Sequence, residues 1–266
     1  MDVAEFLGLS PDRDLNRWVL PVTRGICSGT GRLFGGCGLA AGIAAMESVT
    51  GRRTMWATAQ YLSQSEPPDL MDLDVIVAAR GRSTTQARVV AHVVEREILT
   101  VNAALGARDY ERSGQWAEMP EVPPPGDCPV RKTRSETTGT LSGRIQVRIA
   151  NGRDADELDG TPGTGRCALW ARLPETLDMS AAALAVLGDY AGIGVGQAFG
   201  ELTAGTSLDN TVRVVRLVET DWVLLDIRMH AVYEGVAHCL AHLWAADGTL
   251  LATASQSCTV RALRIP

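Results

Sequence analysis

Several marks of common protein classes are missing from this chain, and each absence excludes something. The six cysteines (Cys27, Cys37, Cys128, Cys167, Cys239 and Cys258) stand far apart and form no C-x-x-C pair. Tetrahedral zinc sites draw ligands in closely spaced pairs, so no metal is expected. Lys and Arg total 25 against 31 Asp and Glu, a net charge of −6. Binding a phosphate backbone needs clustered cations, so no nucleic-acid partner is expected. The opening Met1-Asp-Val-Ala-Glu5 is acidic and leads into no apolar signal core. No run of eighteen apolar residues stands out as a bilayer span. The expectation is a cytoplasmic protein with reduced thiols and no membrane insertion. Neither G-x-S-x-G nor a recognisable Cys–His pair argues for covalent catalysis.

Two glycine patterns look functional and are not read so. Gly36-Cys-Gly-Leu-Ala-Ala41 fits the dinucleotide G-x-G-x-x-A pattern. No parallel βαβ unit surrounds it, and no acid follows about twenty residues on at a strand end. Gly192-Ile-Gly-Val-Gly196 lacks the third glycine at the required offset. No cofactor is expected.

What the chain does have is an internal repeat. Asp226-Ile-Arg-Met-His230 lies under Asp74-Val-Ile-Val-Ala78 at an offset of 152 positions. The register continues without a gap to Leu250-Leu-Ala-Thr253 under Ile98-Leu-Thr-Val101. At that offset Gln256 faces Ala104, His230 faces Ala78, and Asp209 faces Trp56 or Ala57. Polar residues therefore mark the second copy alone, which reads as one scaffold half and one reacting half.

The order of elements is also duplicated. In the first half a Gly-rich stretch, Gly29–Gly36, feeds a helix over about 35–50. This segment is apolar almost all round, with only Glu47 charged, and stops at Gly51. Strand-like runs follow at Met55–Leu62, Asp74–Ala79, Ser83–Val94 and Ile98–Leu105. Residues 111–141, with Val122-Pro-Pro-Pro-Gly126 at the centre, read as a Pro-rich polar linker. Cys167–Leu173 then reads as a strand, Ser180–Gly192 as an Ala-rich helix, and strands return from Asp209 with a tight turn at Asp247-Gly248. Residues 1–110 and 142–266 thus form two halves of an α+β fold. In each, an antiparallel sheet wraps one buried helix, and the open sheet edges are covered by joining the halves side by side.

In this order the residues resemble the acyl-CoA thioesterase II family, whose fold is a double hot-dog. The resemblance rests on Leu33-Phe-Gly-Gly36 and Arg80-Gly-Arg-Ser83 in the first half. In the second it rests on Leu208-Asp209, Arg216, Trp222, Asp247-Gly248 and Ala254-Ser-Gln256. It implies hydrolysis of acyl-CoA to a fatty acid and coenzyme A, and association into a homo-oligomer. The family's catalytic set is an Asp, a hydroxyl residue and a Gln that together hold the attacking water. Asp209 and Gln256 are matched to the first and last, and His230 stands where the hydroxyl is usual. Gly35 and Gly36, at the start of the first helix, are the expected oxyanion donors. The plain alternative for Asp209 is an acid that opens a strand, satisfied by neighbouring N–H groups; for His230 it is a packed strand residue. Two other functions stand beside hydrolysis. One is a hot-dog enzyme of another kind, such as an enoyl-CoA hydratase, and the other a non-catalytic acyl-CoA or acyl-chain binder.

Overall fold

A computed structural model describes residues 1–132, 137–174 and 177–262. A short helix α1 (Val3–Leu7) and two strands, β1 (Ser10–Pro11) and β2 (Arg17–Pro21), precede the first long helix, α2 (Gly35–Thr50). α2 ends where Gly51 adopts φ 66°, the left-handed stop that a glycine takes without strain. Four strands follow: β3 (Thr54–Tyr61), β4 (Leu70–Arg80), β5 (Thr84–Val93) and β6 (Arg96–Gly106). They alternate as half-buried strands must. Met71, Leu73 and Val75 of β4 face the core, while Asp72, Asp74 and Ile76 face outward.

The second half repeats this plan. α3 (Leu141–Arg144), β7 (Gln146–Asn151) and β8 (Arg166–Arg172) precede α4 (Ala181–Gly188). Ser180 caps α4, its Oγ accepting from the Ala183 N–H at 3.1 Å. The helix expected over 180–192 does not run through. It gives way to a 3-10 segment, Asp189–Ile193, and then to α5 (Gly194–Phe199). β9 (Thr203–Val214), β10 (Val223–Tyr233), β11 (Val236–Ala245) and β12 (Leu250–Ala262) follow. The Asp247-Gly248 turn joins β11 to β12, with Asp247 Oδ1 accepting from the Thr249 N–H at 2.9 Å.

The twelve strands among the described residues form one antiparallel sheet in the order β1-β2-β4-β5-β6-β3-β9-β12-β11-β10-β8-β7. The order is the same read outward from the β3–β9 junction in either direction: β3, β6, β5, β4, β2 and β9, β12, β11, β10, β8. This is the double hot-dog expected from the repeat. At the junction Thr58 pairs with Thr211, and their hydroxyls lie 2.7 Å apart. Neither half keeps an open edge there.

α2 and α4 are apolar all round because each packs against the sheet and against the other. They approach closely at Gly36, where a Cβ would meet the Ala185 carbonyl oxygen at 2.8 Å and Val186 Cα at 2.9 Å. Only a residue without a side chain fits. The stretch Ala181–Phe199 is also long and apolar enough to cross a membrane, contrary to the sequence expectation. It is mostly buried, however, and forms the core of the second half. All six cysteines are buried and free.

Among the described residues the segment between the halves holds no strand or α-helix, only a turn of 3-10 helix at Pro125–Asp127, yet it is not loose. Gln115 accepts from the Leu250 N–H at 2.7 Å and donates to the Gly248 carbonyl at 3.0 Å. The Trp170 indole donates to the Pro123 carbonyl at 2.9 Å. Met119, Val122 and Cys128 pack on Trp170, Leu224 and Trp244, covering the outer face of the second half's sheet. A polar composition concealed this strap because a few apolar residues suffice to dock it.

Gly36→Ala forces the two helices apart against rigid backbone. It is expected to destabilise the protein by ~1–3 kcal/mol, read as a lower urea midpoint at unchanged slope.

Candidate functional site

Strand alternation decides which residues of β12 look inward. Ala254, Gln256 and Cys258 are buried, while Ser255 and Ser257 are only partly so. Gln256 is thus a polar residue on the helix side of the sheet, 3% exposed. Burial there is costly unless the amide finds partners. Its Nε2 uses both protons, donating to Asp189 Oδ1 at 2.5 Å and to Ser207 Oγ at 2.8 Å.

Asp189 is the first residue after α4, and its carboxylate gathers donors from three elements. Oδ1 also accepts from Asn210 Nδ2 of β9 at 3.3 Å. Oδ2 accepts from the Gly36 N–H at 2.9 Å, in the first turn of α2. The helix N-terminus and the three hydrogen bonds all favour the charged form. Burial opposes them and wins, raising the pKa from 3.8 to about 7. A carboxylate that changes protonation near neutrality is suited to moving a proton.

These groups stand at the wall of a cavity of about 760 Å3 between the halves. Asp189, Ser207 and Gln256 line it from the second half, and Gly35, Phe34 and Tyr61 from the first. Leu33, Leu99, Val195 and Val260 add apolar wall, and the guanidinium-bearing side chains of Arg32, Arg131, Arg153 and Arg261 also contribute. The arrangement offers a general base, a hydroxyl and an amide beside an apolar chamber.

The structure corrects two of the residues expected here. Asp209 points to the outer face of the sheet. β9 and β12 slip register by one residue there, with Ser257 opposite Asp209 and Cys258 opposite Ser207. The Asp209 carboxylate accepts from the Ser257 N–H at 2.7 Å, which is the plain alternative set out for it above. The same bulge turns Ser207 inward. His230 is exposed at the register shift between Met229 and Ala231 of β10 and does not line the cavity. Gln256 and Gly35 do line it. Gly36 is one turn-step deeper, with its N–H committed to Asp189 and its Cα pressed on α4.

Bulges also shift the repeat. Val101 lies between Ala59 and Val89, and Ala254 between Val212 and Ala241, so these two correspond and Gln256 corresponds to Ala103 rather than Ala104. Likewise a Cβ on Gly42 would meet Val101, as one on Gly188 would meet Ala254. Asp189 therefore corresponds to Ile43. The first copy holds buried Ile43 and Ala103 where the second holds Asp189 and Gln256. Asp189 had a signal in the sequence, being the only charged residue between Ser180 and Phe199. Ser207 had none, since a bulge sets its direction.

The chain matches the family model for the acyl-CoA thioesterase C-terminal domain over residues 125–260. It is 30% identical to a candidate thioesterase from Novosphingobium aromaticivorans, with a TM-score of 0.83 over 94% of this chain and 97% of that one. Acyl-CoA thioesterase II TesB2 from Mycobacterium marinum superposes with a TM-score of 0.77 at 22% identity, covering 98% of both chains. A hot-dog protein from Alicyclobacillus acidocaldarius gives 0.86 at 21% identity, again over 98% of both. At such identities the last two likenesses speak to fold alone. No curated protein matches the chain in sequence.

The amide of Gln256 lowers the Asp189 pKa by hydrogen bonding to its charged form. Gln256→Ala is expected to move that pKa further above about 7, as read by carbon-13 titration of the carboxyl.

Proposed function

The chain belongs to the acyl-CoA thioesterase family, and from that premise we propose that this cavity hydrolyses acyl-CoA with Asp189, Ser207 and Gln256 holding the attacking water. The observation that carries the reading is the convergence of these three side chains on one cavity wall, through the two bonds donated by Gln256 Nε2. They supply the acid, hydroxyl and amide set that the sequence had placed at Asp209, His230 and Gln256.

Hydrolysis needs a base, an oriented water and a place for the acyl chain. Asp189 in its charged form takes a proton from the water as oxygen attacks the thioester carbon. Gln256 Oε1 is buried without a partner among the described residues, so it is free to accept the other water proton. Ser207 Oγ accepts from Gln256, which leaves its own proton to donate toward the cavity. Together these groups fix the lone pair that attacks. When the tetrahedral adduct collapses, the C–S bond breaks and the thiolate takes from Asp189 the proton drawn from the water. The apolar wall suits the acyl chain, and the four arginines around the cavity suit an anionic carrier.

A hydratase would need a histidine beside the acid. None of His92, His230, His238 and His242 lines the cavity. A pure binding role would leave a buried carboxylate with a pKa of about 7 without use.

The test is release of free thiol from a series of acyl-CoAs. Asp189→Asn is expected to lower turnover by ~10²–10⁴-fold, while Asp209→Asn and His230→Ala stay near wild type. An active Asp189→Asn enzyme, or a dead Asp209→Asn one that is folded, overturns the assignment.

The rate should rise with pH in one step through about 7, since the base works only when deprotonated and burial has raised its pKa to that value. A flat profile from pH 5 to 9, a window of about two pH units either side, would remove Asp189 as the base.

A further inference from the structure

Tyr61 is the last residue of β3, in the half that carries no part of the water-holding set. Its phenol lines the same cavity. A Cβ on Gly35 would lie 3.0 Å from the Tyr61 hydroxyl and 3.1 Å from Asp189 Oδ2, so all three surround one point. The hydroxyl is shielded from solvent and has no hydrogen-bond partner among the described residues. Such buried groups are rare in native proteins and call for an explanation.

The N-terminus of α2 brings a further backbone donor near this point. A helix's first N–H groups have no partner within the α-helical pattern. That of Gly36 goes to Asp189, and those of Cys37 and Gly38 go to the Phe34 carbonyl. The Gly35 N–H has no partner among the described residues, and a side chain on Gly35 would meet the phenol. Burial first, and then the negative charge of Asp189, push the Tyr61 pKa well above its ordinary value, against a smaller opposing pull from the Asn210 side chain. The phenol therefore keeps its proton throughout the working range and has it available to donate.

We propose that the Tyr61 hydroxyl, beside the Gly35 N–H, donates to the carbonyl oxygen of the bound thioester. The role rests on the hydrolytic reading above and extends it. The second half supplies the water and the base; the first half supplies the contacts to the developing oxyanion. As the water oxygen bonds to the carbonyl carbon, its proton passes to Asp189 and the C=O π pair moves onto oxygen. Tyr61 hydrogen-bonds that oxygen and gives up no proton. On collapse the C=O bond re-forms, the C–S pair leaves on sulfur, and the proton on Asp189 goes to the thiolate. Donors placed where charge develops act most strongly in a water-poor site.

Tyr61→Phe keeps the ring and removes only the hydroxyl, so packing should hold; an unchanged thermal midpoint checks this. Steady-state hydrolysis of octanoyl-CoA is compared for wild type, Tyr61→Phe, Gly35→Ala and Asp189→Asn across pH. Tyr61→Phe is expected to lower kcat by ~10²–10³-fold, leave KM almost unchanged and leave the pH midpoint in place. Gly35→Ala, which pushes on the phenol while keeping it, should lose kcat in the same sense. Normal kcat in Tyr61→Phe with a dead Asp189→Asn overturns the Tyr61 role alone. A moved pH midpoint at an undiminished plateau rate also overturns it, because the phenol would then act on Asp189 and not on substrate. Wild-type turnover in Asp189→Asn, or an inert wild-type protein, overturns the hydrolytic reading and this role together.

Discussion

The contact between α2 and α4 at Gly36 constrains everything else in this molecule. Two apolar helices can share the space inside one curved sheet only if their backbones approach closely, and at Gly36 there is no side chain to prevent it. The same approach places the Gly36 N–H against the Asp189 carboxylate, which projects from the end of the facing helix. Helix packing and site assembly are therefore one event. Any change that widens the helix gap also loosens the carboxylate that lies in it.

The joined sheet explains how a chain with few aromatics can still form such a core. Each half alone would leave β3 or β9 as a long, unpaired edge. Pairing those edges at Thr58 and Thr211 closes both and aligns the two concave faces over one apolar interior. The duplication then leaves room for asymmetry. In the first copy Ile43 and Ala103 complete the core; in the second Asp189 and Gln256 occupy the corresponding places. One copy can carry buried polar atoms because the other is packed as a scaffold. Asn210 Oδ1, Gln256 Oε1 and the Tyr61 hydroxyl have no partner among the described residues, and all three cluster where the halves meet around the site.

The residues that declared themselves in the sequence are those governed by period and capping. The strands of the first half, the helix stop at Gly51, the helix start at Ser180 and the Asp247-Gly248 turn all follow from local rules. Gln256 was matched through the resemblance, and its place two residues from Ala254 sets it on the same buried face. The facing of Asp209 and Ser207 was not legible, because a single register slip between β9 and β12 reverses which of them looks inward. Asp209 was matched through the resemblance, and a sequence motif cannot see the bulge that turns this acid to the outer face. Asp189 was hidden differently. It belongs to an apolar helical run, where a lone acid looks like an imperfection until its donors from α2, β9 and β12 are in place. The docked strap over residues 115–128 escaped for a third reason, since its contacts are set by tertiary packing and not by pattern.

The protonation state that suits the chemistry is the one that favours the fold least. Asp189 has a folded pKa raised from 3.8 to about 7. Its contribution to stability is therefore fully present below the unfolded value, near pH 3.8, and is lost as pH rises through about 7. Above that point the group is charged in both states, and the folded state bears the cost of a buried carboxylate. That is also the range in which it can accept a proton from water. Adding donors would ease the cost, but each added donor would lower the pKa and weaken the base. Three hydrogen bonds, from Gly36, Asn210 and Gln256, hold the carboxylate in place without bringing it back to an ordinary acid. The rest of the second half's helix has no charge to compete with it, and the sheet continuous across β3 and β9 supplies the stability that the site withholds.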